Sequence, residues 1–420
     1  MKLKGRPPVQ RFFRWGWVTG LLLVTVLVII GAWRRQSSRP NAAPHQDSEI
    51  VHTSAPPVGK PPVIADKAST VSTTGGLDIC GLGKVQLDPD DPFAAGRYLR
   101  ELTSNVRGRW LSAMLNSGDI RARSAGLFLE NKLTDSAFAR PIADQTRDAL
   151  VQLAVGAGDP VIYAMAVYAC YTYSDPAPTG SCQQITLNTW ARLDSDNAVP
   201  WLLLAGEAHK SNDLTAEAAA FGQAAKANKV DAYNFSLYAY SESELPNDVT
   251  PLERWSLANQ MVGIEAATAS LHYSPAAKYC SEPAMSDADV RQQCDALAEL
   301  LVRKGTNLLD LSMGTNIGAR AGWPKSRVAA LKDERDALMQ AITQATPNSD
   351  DDLWSCDGVR HGNAYMGEWV RLGELGAARE SLERSGETVS ELAQKHRDFI
   401  DRIQRAARQR REASPSDPPP

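Results

Sequence analysis

The sequence predicts an all-α body behind a single N-terminal membrane span. Three observations predict it. Strand signals are scarce, since no long β-branched alternating run is closed by Asn-Gly or Asp-Gly. Helix punctuation recurs throughout the body. Near the N-terminus, nineteen consecutive residues carry no charge.

Residues 1–14, MKLKGRPPVQRFFR, form a tail too short for a domain. The uncharged run that follows, Trp15 to Trp33, reads WGWVTGLLLVTVLVIIGAW. At a helical rise of about 1.5 Å per residue it spans roughly 28 Å, close to the hydrocarbon thickness of a bilayer. Trp15, Trp17 and Trp33 stand at its ends, where indole rings favour the membrane interface. A cleaved signal peptide needs a shorter apolar stretch and a small-x-small site, whereas Gly31-Ala32-Trp33 leads straight into Arg34-Arg35. The expectation is therefore an uncleaved signal-anchor that partners the lipid bilayer through residues 15–33. Five basic residues precede it (Lys2, Lys4, Arg6, Arg11, Arg14) and three follow (Arg34, Arg35, Arg39), which places the N-terminus in the cytoplasm. In a bacterium the span would sit in the inner membrane and the body in the periplasm.

Residues 34–79 read as a disordered linker. From residue 36 onward the stretch holds six prolines and no Phe, Tyr or Trp, so it cannot bury enough apolar surface to offset its ordering entropy. Such a tether has a root-mean-square span of about 40 Å. The ending at 413–420, ASPSDPPP, reads the same way.

The body, residues 80–394, holds 28 Lys or Arg against 41 Asp or Glu, a net charge of -13. An acidic surface of this kind repels phosphate backbones, so nucleic acid is not an expected partner. The helices open on capping residues or Pro. Asp159-Pro160 precedes VIYAMAVYACY, Thr250-Pro251 precedes LERWSLANQMVG, Ser286-Asp287 precedes ADVRQQCDALAELLVRKG, and Trp323-Pro324 precedes KSRVAALKDERDAL.

All six cysteines, Cys80, Cys170, Cys182, Cys280, Cys294 and Cys356, follow the apolar run. An even number on an oxidising side points to disulfides, and six cysteines allow 15 pairings. Cys170 and Cys182 are close in sequence, as are Cys280 and Cys294, and each pair flanks a turn-rich segment that it would clip. Elimination then leaves Cys80 with Cys356. Zinc-type spacing is absent, and no cofactor or metal is expected.

Residues 193–227, LDSDNAVPWLLLAGEAHKSNDLTAEAAAFGQAAKA, resemble a tetratricopeptide (TPR) repeat. Leu193-Asp194-Ser195-Asp196-Asn197 is similar to the inter-repeat L-D-P-x-N turn, with Ser for Pro. Trp201, Leu204 and Ala205 stand at the W-x2-L-G spacing of the first helix, with Ala for Gly. Asp213 fits the turn, and Phe221 and Ala224 fit the second helix. Glu217 departs from the small residue usual at its position. The resemblance implies that Trp201, Leu204, Phe221 and Ala224 form a core between two helices, within an irregular TPR-like α-solenoid.

No catalytic signature stands out. H-E-x-x-H, G-x-S-x-G, Walker and EF-hand patterns are absent. Gly81-Leu82-Gly83-Lys84 follows no convincing strand and reads as a turn beside a half-cystine. His361, in the apparent loop SCDGVRHGNAY, is the one candidate catalytic side chain, although a base needs an oriented neighbour. A basic terminal helix is expected over 395–412, with Leu392, His396, Phe399, Ile403 and Ala406 forming an apolar stripe that packs on the body. The function expected is that of an interaction or scaffold protein of the bacterial envelope with a protein partner; the alternative is an envelope hydrolase using carboxylates or His361 in a cleft.

Overall fold

The computed structural model describes residues 77–413 apart from 88–93, 135–142, 172–178, 234–235, 269–271 and 346–352. The apolar run at 15–33, with Trp15, Trp17 and Trp33, and the linker up to residue 76 lie outside the described residues. Among those described, no helix is long and apolar enough to cross a membrane.

The body is all-α, with sixteen α-helices among the described residues and one short hairpin. The hairpin pairs β1 (Leu77–Ile79) with β2 (Gly83–Val85), antiparallel, with Ile79 opposite Gly83. This corrects two expectations. The linker ends three residues early, because Ile79 is fully buried in the main core. A strand does precede the Gly81-Leu82-Gly83 turn, and Gly81 (φ 79°) and Gly83 (φ 68°) supply the left-handed backbone that closes it.

Helical hairpins follow in sequence. They are α1 (Ala94–Leu102) and α2 (Ser104–Leu115), packed onto α3 (Ile120–Thr134), then α4 (Asp144–Ala157) with α5 (Pro160–Cys170), and α6 (Leu187–Leu193) leading to the pair α7 (Ala198–Lys210) and α8 (Leu214–Lys226). After the short α9 (Leu237–Ser241) come α10 (Pro251–Thr268), α11 (Tyr273–Tyr279), and the pair α12 (Ala288–Lys304) and α13 (Leu308–Ala321). The C-terminal part packs α14 (Lys325–Ala345) against both α15 (Cys356–Ser385) and α16 (Val389–Ala413).

The caps explain the boundaries. The Asp159 carboxylate accepts from Val161 N at 2.8 Å ahead of α5, and Asp287 accepts from Asp289 N at 2.8 Å ahead of α12. Thr250 and Glu253 exchange hydrogen bonds at the start of α10, as do Thr388 and Glu391 at the start of α16. The last helix therefore begins at Val389 and not at 395, and the expected boundary between body and tail falls inside it. Leu392 and Ala393 pack with Ala337 and Ala341 of α14, and His396 is buried beside them.

One core runs through most of these elements. Trp110 is fully buried in it, donating from Nε1 to the Ser241 carbonyl at 2.7 Å and meeting the Tyr238 ring edge-on at 6.2 Å. Three disulfides staple the stack: Cys80–Cys356, Cys170–Cys182 and Cys280–Cys294. The first ties the hairpin to the start of α15, where Cys80 N also donates to the Trp354 carbonyl at 2.8 Å.

Candidate functional site: a polar network at the repeat-like turn

The Leu193–Asn197 turn is where the sequence concentrates its polar groups inside the fold. Asn197 is fully buried, and its side chain is saturated. Its Nδ2 donates to Asp194 Oδ2 at 2.7 Å and to the Asp231 carbonyl at 2.6 Å, while its Oδ1 accepts from Val199 N at 3.2 Å and Asp231 N at 3.0 Å. Asn197 thus caps α7 and holds the strand-like return after α8, with which it forms an isolated parallel bridge at Lys229.

Asp194 is buried and collects three donors. Besides Asn197 it takes Lys229 Nζ at 2.7 Å and Tyr233 OH at 2.8 Å. Burial pulls the Lys229 ammonium down, but its hydrogen bond and charge contact with Asp194, joined by Asp196 and Asp231, outweigh that and hold it above its ordinary value. Burial raises the Tyr233 hydroxyl, and the adjacent Asp194 charge raises it further. The Asp231 carboxyl is pushed up to about 6, chiefly by burial. Tyr233 holds a left-handed backbone (φ 54°), an unusual conformation for an aromatic residue, fixed by its own N–H donating to Asp231 Oδ1 at 2.7 Å.

Tyr233 also lines a cavity of about 10 Å³ with Phe128, Ala164, Met165, Tyr168, Leu237 and Glu265, room for about one water molecule. Glu265 is buried, and its Oε1 accepts from Leu237 N at 2.7 Å and Tyr238 N at 3.2 Å, capping α9. Burial pushes its carboxyl up to about 8 against the lowering effect of those two N–H groups.

A second buried cluster joins α11, α13 and α15. Tyr273 OH donates to Asp310 Oδ1 at 2.8 Å, and Asp310 and Asn307 form the capping box of α13. Glu374 Oε2 accepts from Leu308 N at 3.4 Å beside the kink at Gly373 (φ 73°) in α15. Burial drives Asp310 to about 6 and Glu374 to about 7. It pushes buried His272 down to about 3, with Nε2 unpartnered among the described residues.

These groups clamp turns and helix starts. Among the described residues, no group of three or more His, Cys, Asp or Glu is placed to hold a metal ion. His361 is exposed, and SCDGVRHGNAY is not a loop but the first turns of α15, capped by Ser355 Oγ accepting from Gly358 N at 3.0 Å. Its neighbours Asp357 and Arg360 pair with each other at 2.9 Å, so neither orients the imidazole.

The four residues expected in the repeat core differ in how deeply they are buried. Phe221 and Ala224 are fully buried, and Phe221 stacks on Tyr279 of α11 at 3.9 Å. Trp201 and Leu204 are only half-buried. The deep face of α7 is Ala198, Val199, Leu202 and Ala205 instead, and Gly206 lets Pro275 approach so closely that an added Cβ would lie 2.6 Å from Pro275 Cγ. Trp201 is left on the rim, donating from Nε1 to the Ser195 carbonyl at 3.0 Å. The anomalous Glu217 is buried and bonded to His209 Nδ1 at 3.1 Å.

Sequence reasoning reached Asp194 and Asn197 through the turn motif. It assigned no place in these buried clusters to Lys229, Asp231, Tyr233, Glu265, His272, Tyr273 or Glu374. Only the Asn307-x-x-Asp310 spacing carried a readable signal, that of a helix start. No protein-family model, curated protein or solved structure matches the chain.

The buried carboxyls give a pH prediction. Glu265 has a folded value raised from 4.5 to about 8, so the folded state binds the extra proton between those limits and stability falls as pH rises through that window. His272 has the opposite sign. Its folded value is lowered from 6.5 to about 3, so its contribution rises with pH and is complete above 6.5. Above that pH the carboxyl effect stands alone. Melting temperature is therefore expected to fall from pH 6.5 to 8.5, and Glu265→Gln, which keeps an acceptor for both N–H groups, should flatten that limb. An equal fall in both proteins would refute the assignment.

Proposed function

We propose that the chain is a membrane-anchored, TPR-like helical interaction module of the bacterial envelope. It would be held by residues 15–33 with the N-terminus in the cytoplasm and the body in the periplasm. The observation that carries the reading is the row of helical hairpins stapled by three disulfides, which account for all six cysteines. Disulfides of this kind persist in oxidising space outside the cytoplasm. Rows of helical hairpins recognise partners through many dispersed surface residues. The α7–α8 pair offers such residues in Glu207, His209 and Lys210, all exposed, and in Leu214, which is 64% exposed at the start of α8.

The test is a photo-crosslinker at residue 214 of the anchored protein in its native membrane. A discrete protein adduct is expected. The pair Glu207→Lys and Lys210→Glu should weaken it severalfold without lowering the melting temperature, while His361→Ala should leave it intact. A folded His361→Ala protein that has lost its cellular function would favour the hydrolase instead.

A further inference from the structure

The charges of α16 divide in two along its length. Lys395 pairs with Glu387, and Arg397 pairs with Asp333 at 2.7 Å and reaches Asp336 at 3.6 Å. Farther on, Arg402, Arg405 and Arg408 are exposed and form no ion pair among the described residues. Arg402 lies 6.0 Å from the centre of the Phe399 ring, its own helix neighbour. From Phe399 to Arg411 the sequence has five Arg and a single acid, Asp401.

Packing explains the division. Arg397 opposite Asp333, and Leu392 and Ala393 against Ala337 and Ala341, set α14 and α16 antiparallel. In that register Lys325, the first residue of α14, falls opposite residue 405. The first turn of α14 carries no acid to meet Arg402 and Arg405, and the turns of α16 after residue 405 extend past it.

We propose that this basic end docks on anionic phospholipid headgroups of the same bilayer that holds residues 15–33. The inference rests on the anchored reading above and adds a second, electrostatic contact to it. Three features select lipid as the occupant. The stretch from the anchor to Leu77 has an expected span of about 40 Å, which keeps the bilayer surface within reach of the body at an effective concentration of millimolar order. The body from 80 to 394 carries a net -13, so an anionic surface repels it as a whole, whereas this end carries a local excess of Arg. Exposed guanidiniums bind phosphate as charged, multidentate donors, and each basic residue near an acidic membrane strengthens attachment about fivefold. The contact therefore sets which side of the body faces the membrane.

The test uses the full chain with Gln409→Cys. Every native cysteine is disulfide-bonded, so the new thiol takes a fluorophore alone. The protein is reconstituted into phosphatidylcholine vesicles with or without phosphatidylglycerol, each containing a headgroup nitroxide quencher. Quenching is expected to be severalfold stronger with phosphatidylglycerol. It should vanish in about 1 M salt, where the Debye length is ~3 Å, and in the triple variant Arg402→Gln, Arg405→Gln, Arg408→Gln, while flotation with the vesicles persists. Equal quenching with and without phosphatidylglycerol, or none in protein that floats, overturns the docking and leaves the anchor standing. Protein that does not float overturns the anchor, and the docking with it.

Discussion

The double variant Cys80→Ser, Cys356→Ser is expected to lose about 5 kcal/mol of unfolding free energy, since the bridge closes a loop with a sequence separation of 276. In the loop-entropy account the cross-link acts on the unfolded chain, and its effect grows with the logarithm of loop length. The bridges Cys170–Cys182 and Cys280–Cys294 have separations of only 12 and 14, so removing either should cost about 3 kcal/mol. The long bridge has a local role as well. It fixes the hairpin against the Leu353–Cys356 corner, where Trp255 Nε1 donates to the Leu353 carbonyl at 3.2 Å and Ile79 is fully buried. Denaturant unfolding of the three double-serine variants under non-reducing conditions checks the order. A smaller loss for Cys80–Cys356 than for either short bridge would refute the entropic argument.

Phe221→Ala is expected to cost about 3 to 5 kcal/mol, and Trp201→Ala about 1 to 2 kcal/mol. The larger side chain has the smaller effect because of where each one sits. Phe221 has no exposed surface and is stacked on Tyr279, which itself donates to Gln293 Oε1 at 2.9 Å, so its loss opens a cavity between α8 and α11. Trp201 lies on the rim of α7, only partly buried against the core, so its removal should open less void. Thermal or urea unfolding of both variants decides it. Equal losses would place Trp201 in the core, as the repeat resemblance implies.

That contrast also marks how far the sequence could be read. Helix identity was legible because it is written locally: Asp159, Thr250 and Asp287 cap the helices they precede. The short bridges were legible because their cysteines are close along the chain, and Cys80–Cys356 followed by elimination. Registration between helices was not legible. Trp201 sits at a repeat-like spacing, yet Gly206 and Pro275 draw α7 toward α11 on a different face, and only the third dimension shows it. Nor could sequence show that Lys229 and Tyr233 would close on Asp194 from 35 and 39 residues away, since those contacts depend on the return of the chain after α8. The loop assigned to His361 was misread because Gly358, Gly362 and Asn363 look like turn residues. Gly362 is in fact a packing glycine, where an added Cβ would lie 2.7 Å from the Trp255 ring.

The central claim is that a disulfide-stapled helical body is carried outside the cytoplasm by a span at residues 15–33. Reporter fusions test it most directly, using an enzyme that is active only after export, joined after residue 76 or after Arg14 in a bacterial host. Activity is expected from the fusion after residue 76 and none from the fusion after Arg14. No activity from the fusion after residue 76, although it carries the whole of residues 15–33, would contradict the claim.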